Sequence, residues 1–227
     1  IVAHFELSKS LEGKKVLVNA GPTYEPIDPV RFIGNRSSGK MGIAIANELF
    51  ARGAEVNLVL GPCDPKAVHP QINTVNVSTA EQMGIACEEL FASCDAAILT
   101  AAVSDYKPVD AVTQKIKKED ATSSGLNLKL EETKDILASL GKKKQNQILV
   151  GFALETQNEK SNAINKLERK NLDMIVLNSL NDEGAGFGSD TNKITIIERS
   201  GAEHVYDLKP KKQVAKDIVD VLSVKLK

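Results

Sequence analysis

Short apolar runs and helical stripes alternate along this chain. Val16 to Ala20 is apolar and closes on Gly21-Pro22-Thr23, which predicts a strand ending in a turn. A proline-containing loop passes Pro26 and Pro29. From Ser37 the period changes: Met41, Ile45 and Leu49 recur at i+4, Ala46 and Phe50 lie beside them, and Gly53 supplies a stop, so a helix is predicted. Val56, Leu58 and Leu60 then alternate as a strand closed by Gly61-Pro62. Strand, helix and strand in this order predict a βαβ unit and a parallel sheet.

The alternation continues. Thr74 to Val77 predicts a strand, and Ser78-Thr79-Ala80-Glu81 has the spacing of a capping box opening a helix. Ala96 to Thr100 and Ile148 to Phe152 are apolar runs fit for buried central strands, while Leu126, Leu128 and Leu130 alternate as a more exposed one. A short helix is expected from about Asp135, a second with Ala163, Ile164 and Leu167 on one face, then a strand from Met174 to Leu177. Ile194 to Ile197 and His204 to Tyr206 flank Ser200-Gly201 as a hairpin, and Val214, Ile218, Val221 and Leu222 give the tail a helical stripe. The fold class is therefore α/β: a doubly wound, Rossmann-like, mainly parallel sheet with helices on both faces and a small antiparallel addition near the C-terminus.

Composition narrows the function classes. The 227 residues are 42% apolar and 26% charged with a formal net charge of -1, so bulk charge favours neither nucleic acid nor an anionic membrane. No apolar run approaches the ~20 residues that span a bilayer, and no signal-peptide pattern opens the chain. Cys63, Cys87 and Cys94 are odd in number and lack a CxxC pair, which argues against a disulfide framework or a zinc site. Cys87 lies on a helical apolar stripe as a buried thiol. A reducing cytoplasm fits this usage. The chain starts at Ile1 rather than Met, as a segment of something longer would.

The stretch GNRSSGKMG, residues 34–42, raises the chemical question. Gly34 to Lys40 has P-loop spacing, but Met41 stands where a P-loop needs a hydroxyl for magnesium, and Gly34 lies well beyond the first strand. No strand ends in a clear Walker B acid; Asp95 precedes its strand. A G-x-G-x-x-G dinucleotide fingerprint is missing after that strand. What remains is a helix N-terminus with two glycines, which offers free N–H groups to an anion. Taken alone, the same stretch is better read as a Ser N-cap with two packing glycines.

The wider pattern decides. GPTYEPIDPVRFIGNRSSGKMG, TAAVSDY with KIKK, VGFALET, KLERKNLDMIVLN and GFGSDTN occur in this order. Together they resemble phosphopantothenoylcysteine synthetase, the second enzyme domain of the bifunctional bacterial coenzyme A biosynthesis protein, from about Gly13 to Leu222. The resemblance makes residues 1–227 a single synthetase domain, with 1–12 as a linker from an upstream flavin-dependent decarboxylase domain. It implies a cytoplasmic ligase in which CTP activates the carboxylate of 4′-phosphopantothenate, pyrophosphate leaves, and the amine of L-cysteine attacks the acyl-cytidylate, releasing CMP. Magnesium would accompany the triphosphate; direct metal ligands stay unknown. No nucleic acid or membrane partner is implied.

The resemblance also assigns residues. Gly21, Ser37, Gly39 and Gly42 map to the triphosphate. Asn35 matches the asparagine at the pantothenate part and the acyl intermediate, and Arg31 the arginine that reaches a neighbouring protomer's substrate phosphate, which implies a homodimer with shared sites. Ala101, Ala102 and Asp105 line the pantothenate path, with Asp105 also near the nucleotide. Lys115, with Lys117 and Lys118 in its basic segment, matches a flap lysine that joins Asn35 in the chemistry. Phe152, Lys166, Lys170 and Asn178 map to the nucleotide. Lys134-Asp135-Ile136-Leu137 departs from the family, many of whose members carry proline there. The rival readings are a nicotinamide-dependent reductase on a similar sheet and a catalytically silent nucleotide-binding module.

Overall fold

The computed structural model describes residues 9–117, 126–179 and 188–227. In chain order the elements begin β1 (Lys15–Ala20), β2 (Tyr24–Pro26), β3 (Phe32–Gly34), α1 (Lys40–Ala51), β4 (Glu55–Leu60), β5 (Asn73–Asn76), α2 (Ala80–Phe91) and β6 (Ala96–Leu99). They continue β7 (Tyr106–Pro108), β8 (Leu130–Glu132), α3 (Ile136–Lys143), β9 (Ile148–Glu155), α4 (Glu159–Arg169), β10 (Met174–Ser179), β11 (Thr191–Glu198), β12 (Glu203–Pro210) and α5 (Lys211–Lys225). The linker expected over residues 1–12 lies mostly outside the described residues.

The main sheet runs β12-β11-β10-β9-β6-β1-β4-β5. Pairing is parallel from β10 through β5, and antiparallel between β10, β11 and β12. The expected fold class is the observed one. Alternation along each strand explains the two layers of helix. Val16, Val18 and Ala20 join one cluster with Ile45 and Leu49 of α1 and Ile218 of α5. Leu17 points the other way, into a cluster with Met83 of α2, Leu140 of α3 and Leu167 of α4. Each large side chain buried this way contributes roughly 1.5–3 kcal/mol. Two aspartates just before strands do equivalent jobs at the amino ends of the central parallel strands: Asp95 accepts from Lys15 N at 2.7 Å, and Asp173 from Leu149 N at 2.7 Å.

Several local expectations shift. The helix expected from Ser37 starts at Lys40. The capping box is built one residue later than Ser78 and Glu81, by Thr79 and Gln82. Ser78 flanks the box, its N–H donating to Gln82 Oε1 at 2.8 Å while its carbonyl accepts from Tyr24 N at 2.8 Å. The proline-containing loop contains a hairpin, β2 with β3, clasped by stacked Tyr24 and Phe32 rings 3.9 Å apart. The strand expected over Leu126–Leu130 is Leu130–Glu132 instead and pairs with β7 in a separate two-stranded sheet, leaving Leu126 and Leu128 exposed. Cys87 is buried, and burial pushes its thiol up to about 12. His69 is exposed and stacks on Phe50; His204 is half-buried against Glu198; His4 lies outside the described residues.

Two predictions follow from the packing. A Cβ on Gly42 would lie 2.3 Å from Thr100 Oγ1 and 2.5 Å from Ala20 Cβ. Thr100 is itself held, its hydroxyl donating to Asn19 O at 2.7 Å. Gly42→Ala should therefore lower stability by about 1–3 kcal/mol, seen as a lower urea midpoint at unchanged slope; an unchanged midpoint would mean that α1 is free to ride further from the sheet.

Glu88 of α2 accepts from Lys134 Nζ at 2.5 Å, Ser139 Oγ at 2.7 Å and Lys143 Nζ at 2.7 Å, tying α2 to α3. The bonds from Lys134, Lys143 and Ser139 bring its carboxyl down from 4.5 to about 2. A lowered folded-state pKa contributes stability above the ordinary value and loses it as pH falls through the folded one. Glu88→Gln should thus be less stable than wild type at neutral pH, and the gap should close between pH 4.5 and about 2. A gap that persists at the acid end would assign the loss to packing rather than charge.

Candidate active site

Strand order reverses around β1: β4 and β5 lie on one side, β6, β9 and β10 on the other. Open α/β sheets bind ligands at such a switch point, beyond the carboxyl ends of the strands. A cavity of about 610 Å³ lies there, lined by residues that follow β6 and by the start of α1. Asn19 holds the split between β1 and β6 open in a defined shape. It is 1% exposed, and its Oδ1 accepts from Thr100 N at 2.8 Å and Ala101 N at 2.9 Å. Further out the two chains stay in step, with Ala102 N donating to Gly21 O at 2.9 Å and Ser104 N to Thr23 Oγ1 at 2.9 Å.

The opening stretch of α1 forms one wall. Gly39 is the N-cap at φ 69°, and no side chain caps the helix. The first intrahelical bond recorded there runs from Ile43 N to Gly39 O at 3.0 Å, so the N–H groups of Lys40, Met41 and Gly42 precede it on the cavity wall. Gly39 is required twice, for its left-handed backbone and because a Cβ would lie 2.6 Å from Cys63 Sγ. Gly42 serves packing against the sheet, so its contribution is to let the positive end of the helix sit directly on the strand ends.

Charge is concentrated here although the whole chain is nearly neutral. Arg36, Lys40, Lys134, Lys166, Lys170 and Lys211 line the cavity against two carboxylates, Asp105 and Asp135. Lys166 Nζ donates to Phe152 O at 2.8 Å, and Lys170 pairs with Asp135. Burial would raise the Asp135 carboxyl, but the Lys170 ammonium and the Ala138 N–H outweigh it and hold it below its ordinary range. Lys211 Nζ donates to Ser189 O at 2.5 Å; burial, then the nearby Lys40, lowers its ammonium, while Asp190 works the other way. Preorganised cations and N–H groups of this kind stabilise charge developing on phosphoryl and acyl oxygens.

Most of the residues proposed from sequence come together. Asn35, Ser37, Gly39, Gly42, Ala101, Ala102, Asp105, Phe152, Lys166, Lys170 and Asn178 all line the cavity. Asn35 Nδ2 donates to Val103 O at 2.7 Å, fixing the amide over the strand-end loop. Gly21, Arg31 and Lys115 do not line it. Gly21, at φ 83°, sits under the β1–β6 crossing beside Gly61. Arg31 pairs with Asp28 at 2.5 Å on the β2–β3 hairpin, and Lys115 is exposed on the arm that docks there. Lys118 lies outside the described residues. Sequence reasoning missed Asn19, Lys134 and Lys211 as cavity residues; a lone amide inside the apolar run VLVNA was the available signal for the first. A second, more apolar space of about 990 Å³ lies between α1 and α5 and shares Ser37, Ser38, Lys40 and Lys211. It lacks the strand-end residues, so the smaller cavity is the candidate site.

Among the described residues no group of three His, Cys, Asp or Glu side chains could hold a metal ion. Asp105 is the acidic side chain beside the strand ends, which fits a magnesium ion that arrives on a triphosphate better than a resident metal. No helix among the described residues is long and apolar enough to cross a membrane.

Comparison with known proteins gives these features a family. Residues 11–225 match the model of the DNA/pantothenate metabolism flavoprotein C-terminal domain. The coenzyme A biosynthesis bifunctional protein CoaBC of Bacillus subtilis is 43% identical over 222 residues, covering 97% of this chain and 54% of that protein. A cysteine/cysteine sulfinic acid decarboxylase of an unknown prokaryotic organism is 55% identical over 212 residues, covering 93% of this chain and 58% of that protein. The chain thus spans little more than half the length of these curated relatives. The crystal structure of the C-terminal domain of a CoaBC protein superposes with a TM-score of 0.81 at 39% identity, covering 96% of this chain and 98% of that one. With nearly its whole length matched, the chain belongs to the family of the DNA/pantothenate metabolism flavoprotein C-terminal domain.

Proposed function

We propose that this chain is a phosphopantothenate–cysteine ligase of coenzyme A biosynthesis. A carboxylate oxygen of 4′-phosphopantothenate attacks the α-phosphorus of CTP and pyrophosphate leaves; the cysteine amine then attacks the acyl carbon, an amide forms and CMP departs. The observation that carries this reading is the uncapped N-terminus of α1, opening onto a cation-rich cavity at the sheet's switch point. Ser37, Gly39 and Gly42 would cradle the triphosphate, with Gly21 beneath and magnesium carried on the nucleotide. Phe152, Lys166, Lys170 and Asn178 would take the nucleoside side, and Asn35, Ala101, Ala102 and Asp105 the pantothenate chain. Lys115 would supply a further cation from the basic arm. No side-chain nucleophile is needed: the gain comes from holding two reactants together and from fixed charge.

The CoaBC relatives are named as bifunctional proteins of coenzyme A biosynthesis, which supports this pathway, and a fused flavin-dependent decarboxylase domain belongs to the same proposal. The 55%-identical relative is named for cysteine decarboxylation, and that favours a second reading in which this domain serves such a protein. A reductase is disfavoured because GPTYEP follows β1 where a dinucleotide fingerprint would stand. One experiment separates them. With CTP, magnesium, 4′-phosphopantothenate and cysteine the chain should release pyrophosphate and form the amide, and ATP should substitute poorly. Equal turnover with ATP removes only the CTP preference. Carbon dioxide from cysteine without nucleotide would favour the decarboxylase reading, NADPH oxidation the reductase, and nucleotide binding without turnover a silent module.

We further propose a homodimer in which Arg31 serves the neighbouring protomer's site. Arg31 does not line its own chain's cavity, and it sits on a hairpin that exposes Val30 and Phe32, 62% and 51% accessible. Arg31→Ala should weaken 4′-phosphopantothenate binding by roughly 1–3 kcal/mol, the scale of a lost hydrogen bond to a charged group, and leave CTP binding nearly unchanged. Mixing Arg31→Ala with Asp105→Ala protein at 4′-phosphopantothenate well below saturation, where each alone turns over slowly, should raise activity above the sum of the two through hybrid dimers with one intact site. Subunit exchange without recovery, or an active monomer, would refute the shared site.

A further inference from the structure

Asp28 lies in the turn between β2 and β3, and its side chain has no exposed surface. Its five hydrogen bonds form two sets. Oδ1 accepts from Val30 N and Arg31 N, both at 2.8 Å, and shapes the turn. Oδ2 accepts from Arg31 Nε at 3.0 Å, Arg31 Nη2 at 2.5 Å and, from far along the chain, Ile116 N at 3.2 Å. Arg31 Nη2 also donates to Ile116 O at 2.7 Å. Both backbone polar groups of Ile116 are therefore held by two side chains of the hairpin, in the manner of a strand pairing.

Among the described residues little else holds this arm. Residues 110–117 are exposed except for the half-buried Ile116, so apolar burial contributes little to their placement. The other anchor recorded on them is Val112 N to Ile27 O at 3.1 Å, on the same hairpin. Lys115 and Lys117 flank the clamped residue. Asp28 and Ile116 between them occupy the Nε and Nη2 groups of Arg31. Burial alone would raise the Asp28 carboxyl, but Arg31 and the three N–H groups hold it well below its ordinary range, so it stays ionised across any working pH.

We infer that Asp28 is a positioning residue of the substrate site: it fixes the Arg31 guanidinium and the basic arm around Ile116 as one unit, which meets an anionic substrate in a set geometry. The inference rests on the ligase reading for the identity of that substrate. Its mechanical half, the clamp, stands on the hydrogen bonds alone. Asp28 itself touches no ligand; it acts through Arg31 and Ile116.

The test uses the full chain and two variants. In Asp28→Asn, amide exchange in the peptide covering residues 110–117 should quicken by about tenfold or more, with exchange in the core strands unchanged. Calorimetric binding of 4′-phosphopantothenate should weaken about tenfold, and in steady-state assays KM for that substrate should rise while kcat at saturation stays within about threefold. Arg31→Lys keeps the charge but loses the guanidinium fork that reaches both Asp28 and Ile116, and should loosen the same peptide; it decides the clamp if Asp28→Asn fails to fold. Unchanged exchange in the folded variants would overturn the clamp. Faster exchange with unchanged binding, or a fall in kcat at constant KM, would overturn the positioning role. A wild type that binds 4′-phosphopantothenate but forms no amide would count against the ligase reading alone, since exchange and binding still judge Asp28. A wild type that binds none would overturn the substrate-positioning half.

Discussion

The close seat of α1 on the ends of β1 and β6 is the constraint on which the rest of the site depends. With hydrogen in place of a side chain, Gly42 lets the first turn come down onto Ala20 and Thr100. Asn19, buried in the seam, keeps those two strand ends at a fixed separation by accepting the N–H groups of Thr100 and Ala101. One contact thus aims an uncapped helix terminus at the point where the sheet's order reverses. Everything proposed for the triphosphate follows from that aim, because backbone N–H groups and the helix dipole need no side-chain entropy to be ordered again at each turnover.

Around that fixed point the cations are restrained to different degrees. Lys166 is tethered to a strand carbonyl, Lys170 to Asp135 and Lys211 to a loop carbonyl, so their positions are set before a ligand arrives. Arg31 and Lys115 belong to a separate hairpin-and-arm unit held by the buried Asp28 carboxylate. The division fits a reaction with two anionic substrates. The nucleotide would meet a preformed wall of sheet and helix, and the second acid a surface whose parts are clamped to one another rather than to the sheet.

The chain's relation to longer proteins bears on how such a domain is used. Its family partners include proteins named for coenzyme A biosynthesis and one named for cysteine decarboxylation, and in each the matched region is about half of the whole. A similar domain is therefore carried by proteins with differently named activities.

The sequence by itself determined the order and kind of most elements, because the periodicity of Met41, Ile45 and Leu49, or of Val56, Leu58 and Leu60, is a local property of burial on one face. Most of the candidate cavity was legible only through the family resemblance, which contiguous stretches such as Asn35 to Gly42 and Ala101 to Asp105 carry; their local pattern alone fits packing as well. The proline-containing segment hid a hairpin, because Tyr24 and Phe32 reveal their stacking only once the turn is closed. The capping box moved by one residue because the Ser78 carbonyl, which at an N-cap would accept the first bond of the helix, accepts instead from Tyr24, 54 positions away. Lys134 and Lys211 look like solvated charge in the sequence; only the sheet order brings them to the same cavity as Lys40. Asp28 is the clearest case. Its neighbours show a turn-forming acid, and nothing local shows that its other oxygen reaches Ile116, because that hydrogen bond exists only between segments that the fold brings together.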